Sequence, residues 1–176
     1  MIDSLGMSEH IASLTFLCTP HKGSVIAEKI YALPKPIKGA AAAYLHVCYK
    51  LFGDKKPEVL KVCRQLSTKK EDELSLMQSS DNCEKIFMQS YSSTMDKVRD
   101  DFVMGIPLIF SKFFKSGDND GLVSVESSKF ALYKGNCADG SISHSEIVDF
   151  MVKKSKREKI YDFYISLCKD LEERGY

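Results

Sequence analysis

The sequence predicts an α/β fold, and three observations carry that expectation. Residues 13–18 (SLTFLC) form a short apolar, β-rich run stopped by Thr19-Pro20, the pattern of a strand buried on both faces with neighbours on either side. Residues 87–92 (FMQSYS) read as a second strand. Helical patterns fill the space around these runs, above all in Ile160, Phe163, Tyr164, Leu167, Cys168 and Leu171, which follow the i, i+3, i+4, i+7, i+8, i+11 spacing of an amphipathic helix.

In chain order, residues 1–5 followed by Gly6 resemble the end of a helix with a glycine stop, so the pattern opens part-way through a helix-to-strand unit. From residue 26 to residue 78 the signals are helical. Gly39 and Gly53 bracket AAAAYLHVCYKLF, Pro57 opens EVLKVCRQL, and Thr68 with Glu71 forms a capping-box pattern for a third segment. After the second strand, Pro107 opens a short apolar helix, IPLIFSKFF, and residues 122–125 read as a brief strand.

Composition narrows the function classes. At 176 residues, 44% hydrophobic and 28% charged, the chain fits one globular unit. Lys and Arg total 25 against 24 Asp and Glu, so a net charge of +1 offers no basic field for nucleic acid. The longest nearly apolar stretch, residues 39–52, is broken by His46 and Lys50 and is too short for a transmembrane helix, which needs about 20 residues. MIDSLGMSEH shows no basic leader and apolar core of a secretory signal, and the localisation is left open. Six cysteines without a C-x-x-C pair point to buried thiols, not to a zinc site.

Two short motifs carry chemistry. Residues 117–124 (GDNDGLVS) hold an Asn-Asp-Gly turn ahead of an apolar run. As a calcium loop it fails, because Ser116 and Ser127 would stand at positions one and twelve, where carboxylates belong. The second motif is Ser143-His144-Ser145-Glu146, a capping-box pattern that would make His144 the first residue of a helix. An acid on a turn, followed 24 residues later by a histidine in a loop, is the order acid then base that serine hydrolases of α/β type use. In such a pair the carboxylate accepts from imidazole Nδ1, leaving Nε2 to take a nucleophile's proton.

Taken in order, Thr19-Pro20-His21-Lys22-Gly23-Ser24, the helical insertion, Asn119-Asp120-Gly121-Leu122-Val123-Ser124 and Ser143-His144 resemble the triacylglycerol lipases of bacterial type over nearly the full chain. The resemblance implies the C-terminal portion of an α/β-hydrolase sheet with a helical lid insertion at residues 26–80 and the acid- and histidine-bearing part at residues 81–176. It makes Asp120 the triad acid, ahead of Asp118, and His144 the general base. It implies an acyl ester or lipid substrate, lipid-surface contact through the lid and no organic cofactor. Some members bind structural calcium near the catalytic histidine, for which Glu146 and Asp139 are the candidate ligands here. His21 is expected to shape its loop or line the pocket, and His10 and His46 have no identifiable partner.

The departures matter equally. The nucleophile elbow G-x-S-x-G is absent from the sequence. Residues 117–121 have Asn at the centre, and Gly135 to Gly140 enclose Cys137 with one residue too many, on the wrong side of the acid. The missing strands and elbow would take roughly 100 residues upstream, so Met1 is expected to be internal and an N-terminal hydrolase part to be needed for a complete fold. The chain alone is then expected to be inactive. A hydrolase remnant that binds or regulates a partner is the competing expectation.

Overall fold

A computed structural model of the chain describes residues 7–51, 53–67, 86–114, 116–150 and 152–176. Among these residues three parallel strands, β1 (Ser13–Leu17), β2 (Phe87–Ser92) and β3 (Leu132–Asn136), lie in the order β1-β2-β3. Ser13 stands opposite Phe87 and Leu17 opposite Tyr91, and a register shift between Ser90 and Ser92 bends the pairing with β3. Parallel neighbours need crossovers, and here the crossovers carry the helices. The first holds α1 (Val25–Ala32), α2 (Lys35–Leu51) and α3 (Val59–Gln65); the second holds α4 (Phe102–Phe113) and the short α5 (Val125–Ser128). The terminal α6 (Lys154–Glu173) follows β3.

Among the described residues, three apolar clusters hold these layers together. Ile160 and Leu167 of α6, with Phe163, Tyr164 and Leu171 beside them, cover Cys18, Tyr91, Cys137 and Ile142. The helices of the first crossover have their own core, in which Ile26, Ala27 and Ile30 of α1 meet Val59 and Cys63 of α3. Cys48 and Tyr44 of α2 reach across to Val103, Met104 and Leu108 of α4. Among the described residues, no helix is long and apolar enough to cross a membrane.

Several elements differ from the sequence reading. The run 13–18 ends as a strand at Leu17, and the strand residues Ser13–Leu17 are half-buried; β2 is the only strand paired with β1 among the described residues. Residues 122–125 form no strand: one antiparallel bridge joins Asn119 to Ser124, and the Ser124 hydroxyl then accepts from the Ser127 amide and starts α5. A strand at β3 was not expected, because its Leu-Tyr-Lys-Gly-Asn offers little apolar alternation. Gly39 lies inside α2 instead of before it. His144 opens no α-helix; a 3₁₀ turn, Glu146–Val148, follows and stops at Asp149, whose φ is 57°. Cys168 sits at the margin of the α6 apolar face and is exposed, whereas Cys18, Cys48, Cys63 and Cys137 are buried free thiols. The glycine-stopped N-terminal segment, the Thr68–Glu71 capping box and Cys83 lie outside the described residues.

Pro107 does not open its helix but sits within α4, whose N-terminus is set by Asp101: the Asp101 Oδ1 accepts from the amides of Val103 (2.7 Å) and Met104 (3.0 Å). A proline inside a helix leaves the carbonyl four residues back without its amide donor. That carbonyl belongs to Val103, and the Tyr44 hydroxyl donates to it at 2.7 Å. The hydroxyl thus replaces the missing backbone bond and ties α2 to α4.

His21 belongs to the core. It is 8% exposed, stacks on Phe130 at 4.4 Å between centroids and meets Phe16 edge-on at 4.7 Å. Its buried Nε2 has no hydrogen-bond partner, and burial lowers its pKa from 6.5 to about 4. The ring therefore sits in the fold as a neutral aromatic group.

Two stability measurements check this account. Tyr44→Phe should cost about 1–2 kcal/mol by leaving the Val103 carbonyl unpaired, and the cost should shrink in a Pro107→Ala background, where an amide returns to that position. A double-mutant cycle by urea denaturation with equal costs in both backgrounds would refute the replacement. For His21, a folded-state pKa below the unfolded one means that its contribution is intact above pH 6.5 and is lost as pH falls toward 4. Wild type should lose roughly 3 kcal/mol more than His21→Leu over that interval; parallel pH profiles for the two proteins would sink the claim.

Candidate active site

Loops leaving the carboxyl ends of all three strands converge on one end of the sheet, where open α/β sheets form their clefts. After β1, Thr19 to Ser24 folds into a turn in which the Gly23 amide donates to the Pro20 carbonyl, with Gly23 at φ 74°. This turn is joined to α5. The His21 amide reaches the Ser127 carbonyl (2.9 Å), the Ser127 hydroxyl donates to the Gly23 carbonyl (2.5 Å), and Lys22 pairs with Glu126 (2.9 Å). The Ser24 hydroxyl donates to the Leu122 carbonyl at 3.0 Å. Two segments about 100 residues apart in sequence are thereby joined.

The Asn-Asp-Gly turn is framed by its own side chains. Asn119 Oδ1 accepts from the Gly121 amide at 2.9 Å, and Asn119 Nδ2 donates to the Gly117 carbonyl at 2.7 Å. Gly121 has φ 100°, and a Cβ there would lie 2.9 Å from Met104 Cβ, so the close passage over α4 requires glycine. Asp120 is 0% exposed. Its Oδ1 accepts from the amides of Leu122 (2.9 Å) and Val123 (2.7 Å).

Its Oδ2 faces His144 Nδ1 at 2.7 Å, and its backbone carbonyl accepts from the His144 amide at 2.9 Å. Since an ionised carboxylate only accepts, Nδ1 carries the proton and Nε2 is left with its lone pair. Burial lowers the His144 pKa, but the Asp120 charge and hydrogen bond outweigh it, so the net shift is upward. The Cys18 thiol lies beside Asp120 with φ 52°. A hydrogen bond with Cys137, burial and the Asp120 charge all push its pKa far up, so it adds no competing charge.

The histidine loop is held from two sides. Glu146 Oε2 accepts from the Ser143 amide (2.9 Å), and the Ser143 hydroxyl accepts from the Glu146 amide (3.2 Å), which completes the capping box although only a 3₁₀ turn follows. Both Glu146 oxygens take Lys156 Nζ, at 2.9 and 2.8 Å, in a nearly buried ion pair. Asp139 is exposed, and its carbonyl accepts from Lys159. The Glu146 carboxylate is thus engaged by an ammonium, and the Asp139 carbonyl faces a second one. Among the described residues, no three His, Cys, Asp or Glu side chains gather as a metal site.

Asp118 lends its carbonyl to the Val125 amide, and no bond joins it to His144. His10 ends an N-terminal 3₁₀ turn, and His46 lines a separate groove between α2 and α3. His144 opens onto a cavity of about 470 Å³, walled mainly by apolar side chains. Pro20, Met104, Leu122, Val123 and Val148 line it, with Tyr49 and Leu66 from the first crossover. His21, between Pro20 and Ser24, turns away into the core. Sequence reasoning missed Asp101, whose carboxylate meets Ser143 and Ser145 on either side of His144. An acid just before an apolar helical run is a cap signal that could have located its helix role, though not its serine partners.

No family model matches the chain. It is 26% identical over 181 residues to Triacylglycerol lipase 2 of Saccharomyces cerevisiae (strain ATCC 204508 / S288c), an alignment covering 94% of this chain and 50% of the yeast protein. The crystal structure of the mature form of Bacillus licheniformis lipase BlEst2 is similar in fold, with a TM-score of 0.52 and 16% identity over 81% of this chain and 50% of the lipase. The chain thus spans about half the length of each. In sequence the chain is thus similar to a triacylglycerol lipase, and its α/β fold is similar to that of a bacterial lipase.

Proposed function

We propose that the chain supplies the acid and the general base of a carboxylic-ester hydrolase, a lipase or esterase, to a serine carried by polypeptide outside this sequence. The observation that carries the reading is the 2.7 Å contact between Asp120 Oδ2 and His144 Nδ1 at the mouth of an apolar cavity. His144 Nε2 takes the serine proton as the hydroxyl attacks the acyl carbonyl, and later gives it to the departing alkoxide. Asp120 orients the ring and stabilises the imidazolium formed between these two steps. The cavity accepts the acyl chain of a lipid or other ester, with α1 to α3 serving as its lid. The likeness to the yeast lipase supports the substrate class, and the chemistry needs no organic cofactor.

The test begins with the chain by itself, which should turn over a p-nitrophenyl ester at a rate unaffected by His144→Ala, since neither residue has a hydroxyl to activate. The coding sequence upstream of Met1 should contain an in-frame G-x-S-x-G after an apolar β run. With that segment included, Asp120→Asn should lower kcat by about 10⁴-fold. Because the base works neutral and its pKa is raised, activity should climb with pH through a limb above 6.5, and Asp120→Asn should move that limb down. A stop codon upstream with genuine start signals would favour the partner-binding remnant. An extended chain indifferent to His144→Ala would remove the enzyme reading.

A further inference from the structure

Among the described residues, the most heavily engaged carboxylate outside the Asp120–His144 pair is Asp101. It is 7% exposed and lies at the start of α4, in the segment that follows β2. Its Oδ1 serves the helix, accepting from the amides of Val103 and Met104. Its Oδ2 serves a different element: the hydroxyls of Ser143 and Ser145 both donate to it. Those serines are 0% and 2% exposed, and they also lie 3.2 Å from each other.

The residue between them is His144, which is only partly buried, with 31% of its side chain exposed. The residues on both sides of the histidine are thus fixed on one oxygen, and the intervening side chain reaches the Asn-Asp-Gly turn. There it meets Asp120. Helix capping alone explains Oδ1 and leaves Oδ2 without a purpose. A buried carboxylate oxygen needs donors, but backbone amides or water could supply them; the donors are instead the two residues bracketing the histidine. The same strip of chain also binds elsewhere in the loop, where the Ser141 hydroxyl donates to Asp100 at 2.8 Å and the Ser93 hydroxyl to the Ile142 carbonyl at 2.6 Å. The hydroxyl bonds hold the Asp101 carboxyl below its usual range against the opposing pull of burial.

We propose that Asp101 is a positioning residue for His144, acting through Ser143 and Ser145 to hold the imidazole against Asp120. The assignment rests on the reading of Asp120 and His144 as acid and base. It does not make Asp101 a group that touches substrate.

The experiment is ¹⁵N and ¹H NMR of the full chain with labelled histidine, the His144 signals being assigned with His144→Gln. At alkaline pH, where the ring is neutral, wild type should show the Nδ1–H tautomer and a low-field proton bound to Asp120. Asp101→Ser keeps an oxygen for the α4 amides but is too short to reach the two serines, while Ser143→Ala/Ser145→Ala removes the donors and leaves Asp101 in place. Both variants should lose the low-field proton and show averaged tautomers, and the triple variant should be no worse than Asp101→Ser. Ser145→Ala alone leaves both the helix cap and the capping box intact and should move the signals part of the way, so it decides the matter should Asp101→Ser not fold. Unchanged His144 signals in Ser145→Ala and the double variant overturn the proposal. Asp120→Asn separates the two claims: if it leaves the tautomer untouched, the acid–base pair itself falls; if it changes the tautomer while the serine variants do not, only the role of Asp101 falls.

Discussion

A carboxylate with no solvent exposure has to find all its partners inside the protein, and the Asp120 side chain imposes that constraint on everything around it. Its two oxygens use two backbone amides and one imidazole. The amides come from the turn that carries it, which explains why the turn is so tightly specified. Asn119 closes it from one side, and Gly121 takes a backbone conformation and a clearance that no side chain would tolerate. The imidazole comes from a distant loop. Satisfying the acid therefore means bringing two loops together, and the backbone bond from the His144 amide to the Asp120 carbonyl locks the same approach a second time.

The rest of the site is an answer to the problem of fixing loops that have no regular structure of their own. The loop after β1 is joined to α5, the loop after β3 is joined to the segment after β2, and the end of α5 leads directly into β3. Short side chains make most of these joints. Serine hydroxyls at positions 24, 93, 127, 143 and 145 each reach a backbone carbonyl or a carboxylate, and their small size lets the backbones lie close. The Glu146–Lys156 pair anchors the far end of the histidine loop to α6, placing a charged contact where the sheet-covering helix can hold it.

The helical first crossover is attached differently. Its internal core is apolar, and its link to α4 combines apolar contacts with the Tyr44 hydroxyl on the Val103 carbonyl. That bond exists because Pro107 cannot donate, so a local backbone defect in one helix becomes a fixed point for another. Tyr49 and Leu66 then reach the cavity from a unit that is otherwise packed on itself.

Much of this architecture was legible in the sequence, and the reason lies in the range of the forces involved. The periodicity of α6, the apolar runs of β1 and β2, and the Asn-Asp-Gly and Ser-His-Ser-Glu turns are local patterns, set by residues within one or two turns of each other. The capping-box bonds formed even where the expected helix did not, because they need only residues 143 to 146. By contrast, β3 has a weak local pattern and is a strand because the β2 edge offers it bonds. Pro107 is helical because Asp101 starts the helix earlier and Tyr44 covers the carbonyl it exposes. His21 is a core ring because two phenylalanines from separate segments enclose it. Turn motifs, residue order and the lipase resemblance marked out Asp120 and His144. Their approach to 2.7 Å, and the hold of Asp101 on both neighbours of the histidine, were decided by tertiary structure, since hydrogen bonds act over about 3 Å and only the folded chain brings positions 24 and 42 residues apart within that distance.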